Sequence, residues 1–260
     1  MSDVGEARFE IGRVLGNTFG LIGRNLIPFL LLAILFAGLP QFGLAYLRGW
    51  LLNTDAPLVS SWAPFAASIL SLVFAMVLQG ALTRAAVDDL SGKGVSFSGA
   101  LGQGVAHILP LIGLGILAGI AFVIGLALII VPGLFLIVRW AVAGPAIVVE
   151  DLGPTGAMGR SADLSRGHRW AIFGLLVLYA IVAYGGIFGL AFLNNALGWP
   201  NATDASFGNF TTLQLAATGI DAALQAVLSL ISTVGTAAIY FELRRVKEGV
   251  DIEALAATFA

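Results

Sequence analysis

The sequence predicts an all-α protein: a polytopic transmembrane helical bundle of six spans. Three observations carry this. Six long apolar runs lie at roughly 26–47, 62–84, 109–130, 134–149, 170–193 and 213–239. Most reach or exceed the about 18–20 residues needed to cross a hydrocarbon core about 30 Å thick. Composition agrees, with 58% of the 260 residues hydrophobic and 11% charged, against about a quarter charged in a typical soluble domain. The third observation is the uneven placement of Lys and Arg, which sets an orientation.

The chain opens on a polar to amphipathic stretch. Ile11, Val14, Leu15, Phe19 and Ile22 fall near one helical face, as an amphipathic helix requires. The run after it is too long for a signal h-region, so no cleaved signal is expected. The first two spans follow, and the second ends in Val87-Asp88-Asp89-Leu90. A Gly-containing turn leads to a second amphipathic stretch, 97–107, and then to the third span. The fourth span is short and contains Arg139 and Pro145. It either crosses or turns back with the third as a re-entrant hairpin, and its length favours crossing. It ends in Val149-Glu150-Asp151-Leu152, which echoes the end of the second span, and a third amphipathic stretch, 154–164, leads to spans five and six.

The recurring unit is an interfacial helix followed by a two-span hairpin, used three times at about 9–90, 94–152 and 154–247, within one membrane domain, 1–260. A C-terminal amphipathic tail at 248–260 begins the theme again, since GVDIEAL echoes GVSFSGAL at 94–101. All three units start on one side, as parallel repeats about an axis along the membrane normal do. A shared preference for amphipathic helices at the interface explains the same pattern without duplication.

Eleven of the thirteen basic residues fall on one side of this topology. They are Arg8, Arg13 and Arg24 before span one, Arg84 and Lys93 between two and three, Arg160, Arg166 and Arg169 between four and five, and Arg244, Arg245 and Lys247 after six. Both termini and the interfacial helices are therefore expected in the cytoplasm. Trp50, Trp62 and Trp170 sit near span ends as interfacial anchors. The sequons at Asn201 and Asn209 lie in an outer loop. Net charge is −2 and there are no cysteines. Nucleic acid is not expected as a partner, and disulfides and thiolate chemistry are excluded.

Chemistry is sparse elsewhere. In the sixth span Gln214, Thr218, Asp221, Gln225, Ser229, Ser232 and Thr236 lie within about 80° of helical arc. That stripe must face other helices or water, because lipid cannot satisfy it. It is either interhelical glue or the lining of a polar path. Gln79, near the inner end of span two, extends it. Arg139 and Asp221 are the two charges within apolar runs. Both are expected in the outer half at similar depth, where an ion pair would offset the cost of burying each.

Glycines at 115 and 119, and at 185 and 189, make G-x-x-x-G spacings suited to helix packing within the chain or to a homo-oligomer. The segment Arg166-Gly167-His168-Arg169, with Arg160, is a headgroup-facing stop or a lipid-headgroup site. No nucleotide loop, metal-ligand spacing, cofactor motif or catalytic set is present, so a non-enzymatic role is expected.

The stretch VPGLFLIVRWAVAGPAIVVEDLGPTGAMGRSADLSRGHRW, residues 131–170, resembles bacterial glycerophosphoryl diester phosphodiesterase membrane-domain proteins and the overlapping YciC-like uncharacterised membrane proteins. Pro132, Gly133, Arg139, Pro145, Ala146, Glu150, Arg160, Ser161, Leu164 and Gly167 carry the likeness. The ending YFELRRVKEGVDIEALAATF is similar to that group too. The resemblance covers about half the chain and implies a bacterial inner-membrane protein. It does not imply phosphodiesterase activity, because the catalytic barrel of that group is a separate soluble domain. The expected role is a scaffold, binding or regulatory protein of envelope or lipid homeostasis, in contact with membrane lipids. The alternative is a small transporter or channel whose path the sixth span lines.

Overall fold

A computed structural model describes residues 9–52, 57–128, 130–198 and 212–249. The sequons, the tail beyond Gly249 and the side chains of Arg48 and Trp50 lie outside the described residues. Among those described, the chain is helical with no strand, and six segments are long and apolar enough to cross a membrane.

The short helix α1 (Ile11–Arg24) leads into a first span built from α2 (Leu26–Ala33), a π-helical turn (Ile34–Gly38) and α3 (Leu39–Leu52). Span two is α4 (Pro57–Leu90). The short helix α5 (Phe97–Ala106) precedes α6 (Ile108–Leu128), and the fourth span is divided into α7 (Ile130–Arg139) and α8 (Ala143–Glu150). A third short helix, α9 (Pro154–Leu164), precedes α10 (Arg169–Ala196) and α11 (Thr212–Glu248).

Local chemistry explains the boundaries. Ser96 caps α5, its hydroxyl accepting from Gly99 N at 3.3 Å, which satisfies one of the amides that open a helix. Pro154 starts α9, where its missing N–H costs nothing. Asp151 ends α8 in the left-handed region at φ 54°. α1 and α5 each turn into the next long helix through a single residue, and α9 does so through residues 165–168. The residues directly before the long helices, Asn25 (φ −116°, ψ 33°), His107 (φ −99°, ψ 10°) and His168 (φ −119°, ψ 13°), adopt nearly the same backbone conformation.

Packing is cyclic. α5 lies on α4, α9 on α8, and α1 closes the ring by lying on α11. The inner helices α4, α8 and α11 contact one another, while α6 and α10 leave most of their surface open. Two buried clusters result, one around α8, α9 and α10 and one around α2, α4 and α5, with α11 contributing to both.

Small residues allow the closest contacts. A Cβ on Gly80 would stand 2.7 Å from Gly104 Cα, and one on Gly104 would stand 2.5 Å from Val77 O. α4 and α5 therefore meet backbone to backbone. A Cβ on Gly235 would stand 2.5 Å from Tyr179 Cζ, because the Tyr179 ring lies over α11 there. The tyrosine hydroxyl is 3.3 Å from the buried Thr18 hydroxyl of α1. The glycines singled out by spacing behave otherwise: among the described residues nothing lies within 4 Å of a Cβ placed on Gly115, Gly119, Gly185 or Gly189, so they make no close helix approach there. Spacing alone does not say which face of a helix meets a neighbour.

Candidate functional site

A cavity of about 510 Å³ lies between the first, second, fifth and sixth spans. Its walls carry an unusual share of uncharged polar side chains for this depth. Gln225, Ser229, Ser232 and Thr233 come from α11, Gln79 and Ser71 from α4, and Gln41 from α3. The polar stripe of α11 therefore meets, across open space, polar groups from two other spans.

The π-helical turn shapes this wall. Its Phe36 and Ala37 line the cavity, as does Pro40 just beyond it. Pro40 has no N–H to donate, so one carbonyl of the turn before it lacks a backbone donor. The widened turn presses Gly38 against α11, where a Cβ would sit 3.6 Å from both Ala222 O and Ala226 Cβ. Single π turns recur at functional sites because they re-aim the helix face. At the other end Gln79 lies over α8: a Cβ on Gly144 would fall 2.3 Å from Gln79 Nε2.

Four of the predicted residues, Gln79, Gln225, Ser229 and Ser232, thus line one space. Others do not. Thr218 is buried outside the lining. The Thr236 hydroxyl donates to Thr233 O at 2.9 Å, which ties it to its own helix. Gln41, Ser71 and Thr233 were not singled out from sequence. Gln41 is a lone polar residue in the first apolar run, and Ser71 shares a face with Ser68 and Gln79 in a stripe sparser than that of α11.

The expected ion pair between Arg139 and Asp221 is not formed. The Asp221 carboxylate is instead bonded by the side chain of Asn194 on α10. Arg139 lies elsewhere because the fourth span breaks at Trp140–Val142. The Ser161 hydroxyl of α9 donates to Arg139 O at 3.0 Å, and Val142 N donates to the same hydroxyl at 3.3 Å. Non-helical backbone at membrane depth needs such partners. α9 also holds the far end of α11, since Arg160 pairs with Glu248. Between Asp221 and Glu248 lies about 40 Å of helix at about 1.5 Å per residue. The two charges therefore sit toward opposite ends of the bundle, a consequence of a break that apolarity does not reveal.

The end of the bundle where the short helices gather is dense in ion pairs. Arg160 donates from Nε to both Glu150 oxygens, at 2.9 and 2.8 Å. Tyr240 OH donates to Glu150 Oε1 at 2.6 Å. Arg244 Nε donates to Glu248 at 2.8 Å. The fully buried Glu242 accepts twice from Arg245, at 3.0 and 2.8 Å, and Arg13 lies 3.7 Å away. Burial works against the Arg160 charge, but its hydrogen bonds to Glu248 and Glu150 outweigh that and raise its pKa. Arg160, expected at headgroups, is thus committed within the chain.

Two of the three junction residues meet an aspartate at this end. Asn25 Nδ2 donates to Asp89 Oδ1 at 3.0 Å, and His107 Nε2 lies 3.1 Å from Asp151 Oδ1. His168 instead has Lys247 for its charged neighbour, and burial, aided by that ammonium, lowers its pKa. Its ring stacks on Phe9 at 5.6 Å.

The cavity presents donors and acceptors without formal charge. Such a lining suits neutral polar groups and offers nothing to offset an ion. No curated protein and no solved structure matches the chain. One family model, described as a domain of unknown function, DUF7847, matches residues 9–243. That stretch runs from the start of α1 almost to the end of α11, and the chain therefore belongs to the DUF7847 family.

Proposed function

We propose that this chain is a non-catalytic bacterial inner-membrane protein that binds a small, neutral, polar solute between its first, second, fifth and sixth spans and passes it across the membrane. The observation that carries the reading is the cavity of about 510 Å³ into which Gln79, Gln225, Ser229 and Ser232 open. Its size falls in the about 300–1,000 Å³ range of small-molecule sites. If the stripe were only interhelical glue, these groups would be spent on one another. Instead they border open space, where solute or water can bond them and spare the about 1–3 kcal/mol that a buried polar group without a partner costs. The bias of basic residues toward one side supports cytoplasmic termini, with the short helices on the cytoplasmic face.

The chain contains no cysteine, so single cysteines can be introduced without a background. Ser229→Cys and Ser232→Cys should react with a membrane-impermeant thiol reagent in proteoliposomes. Ala226→Cys, at a position only 1% exposed, should not. Equal inertness of all three would make the stripe dry and return the protein to a scaffolding role.

A further inference from the structure

We infer that a groove between α7 and α10 holds an anionic phospholipid, with one acyl chain in the groove and the phosphate between Arg169 and Arg139. The groove has a volume of about 520 Å³ and is lined by Leu134, Phe135, Val138, Gly167, Arg169, Trp170 and Phe173. It lies apart from the polar cavity and shares no lining residue with it.

Its polarity runs in one direction. α10 begins at Arg169 and α7 ends at Arg139, so both cations lie at the end of the groove nearest the short helices. Phe173 and Leu134 lie about one turn further in along their helices. Trp170, 86% exposed, marks the headgroup level as interfacial tryptophans do. A charged mouth above an apolar slot matches the two ends of a phospholipid.

The charges at the mouth are uncompensated. Among the described residues neither Arg139 nor Arg169 has a carboxylate partner, whereas the neighbouring Arg160 and Arg166 are paired with Glu150 and Asp163. Arg169 Nε is buried without any hydrogen-bond partner. Its guanidinium lies over the Phe135 ring at 4.7 Å. Phe135 is one turn before Arg139 on the same helical face, which brings the two guanidinium groups toward one mouth. Guanidinium donors match phosphate oxygens in geometry, and two unpaired cations favour a headgroup with net negative charge over a zwitterion. Of the residues the sequence marked for headgroups, this selects Arg169 and adds Arg139.

Native mass spectrometry of delipidated protein titrated with phosphatidylglycerol or phosphatidylcholine tests the assignment. Wild type should retain phosphatidylglycerol at least tenfold better. Arg139→Gln with Arg169→Gln should abolish that preference, Arg139→Lys with Arg169→Lys should keep most of it, and Arg166→Gln should leave it unchanged. Wild type with no preference overturns the inference whatever the variants do, as does a preference that survives the double Gln variant. If that variant does not fold, Val138→Trp, which fills the groove wall and keeps both cations, should lower retention of both lipids. Unchanged retention there overturns the inference as well.

Discussion

Replacing Gly104 by Ala isolates the contact that seats α5 on α4. The added Cβ would stand 2.5 Å from Val77 O, 3.0 Å from Ala81 N and 3.2 Å from Ala81 Cβ. Comfortable contacts between heavy atoms begin near ~3.5 Å. Two of the three obstacles are α4 backbone atoms, which cannot rotate aside as a side-chain tip can, so the whole of α5 must lift. Overpacking of this kind costs about 1–3 kcal/mol, and rigid backbone obstacles place the cost in the upper part of that range. Ala also gains about 1 kcal/mol over Gly inside a helix. The net expectation is a loss of about 1–2 kcal/mol, or about 2–8 °C in Tm at the usual scaling for a chain of this size. Gly102 is the internal control. It lies in the same helix, two residues away, with nothing within 4 Å of its added Cβ. Gly102→Ala should therefore stabilise by about 0.5–1 kcal/mol. Thermal unfolding in detergent, followed by tryptophan fluorescence, reads both. Shifts of the same sign would refute the argument, because propensity is common to the two sites and only the backbone contact differs.

Two further outcomes follow from the charged end of the bundle. Ser161→Ala removes the hydroxyl that accepts from Val142 N and donates to Arg139 O. It should cost about 1–3 kcal/mol as a buried amide loses its acceptor, and Ser161→Thr, which keeps the hydroxyl, should recover part of this in the same melting assay. His168 has a folded-state pKa below 6.5, set by burial and by Lys247 of α11. The unfolded chain then takes up this proton first as pH falls. The contribution to stability is complete above pH 6.5 and is lost as pH drops through that value toward the folded-state pKa. Between about pH 7.5 and about pH 5, wild type should lose more Tm than His168→Gln. Parallel curves would show that the ring carries no such linkage.

The order of elements was legible in the sequence because it depends on local chemistry. Apolar runs long enough to span hydrocarbon, Gly-containing turns and the Ser96 and Pro154 helix starts are read within a few residues. The polar stripe of α11 was legible for the same reason, since helical periodicity places Gln225, Ser229 and Ser232 on one face without reference to any partner. What that stripe faces was not legible. Gln41 and Ser71 reach the same cavity only because the first and second spans pack beside α11, and nothing near either residue encodes that.

The pairing of Arg139 with Asp221 shows where local reading stops. Counting residues from the turn places both charges at one depth if the spans are straight. The fourth span is not straight, because Ser161 of α9 and Ser165 just past its end supply the bonds that a break at Trp140–Val142 requires. The glycines divide in the same way. Gly115 and Gly119 have the familiar spacing but meet open space, whereas Gly80, Gly104 and Gly235 have none and carry the tight contacts. Taken by itself, the sequence determined that this is a helical membrane protein with six apolar segments and a polar face on the last. Tertiary structure alone decided which polar groups share a cavity, which arginines are paired and which glycines are crowded. The reason is physical: hydrophobic length and helical period are properties of one segment, while cavities, ion pairs and close approaches belong to two or more segments whose mutual placement no single one encodes.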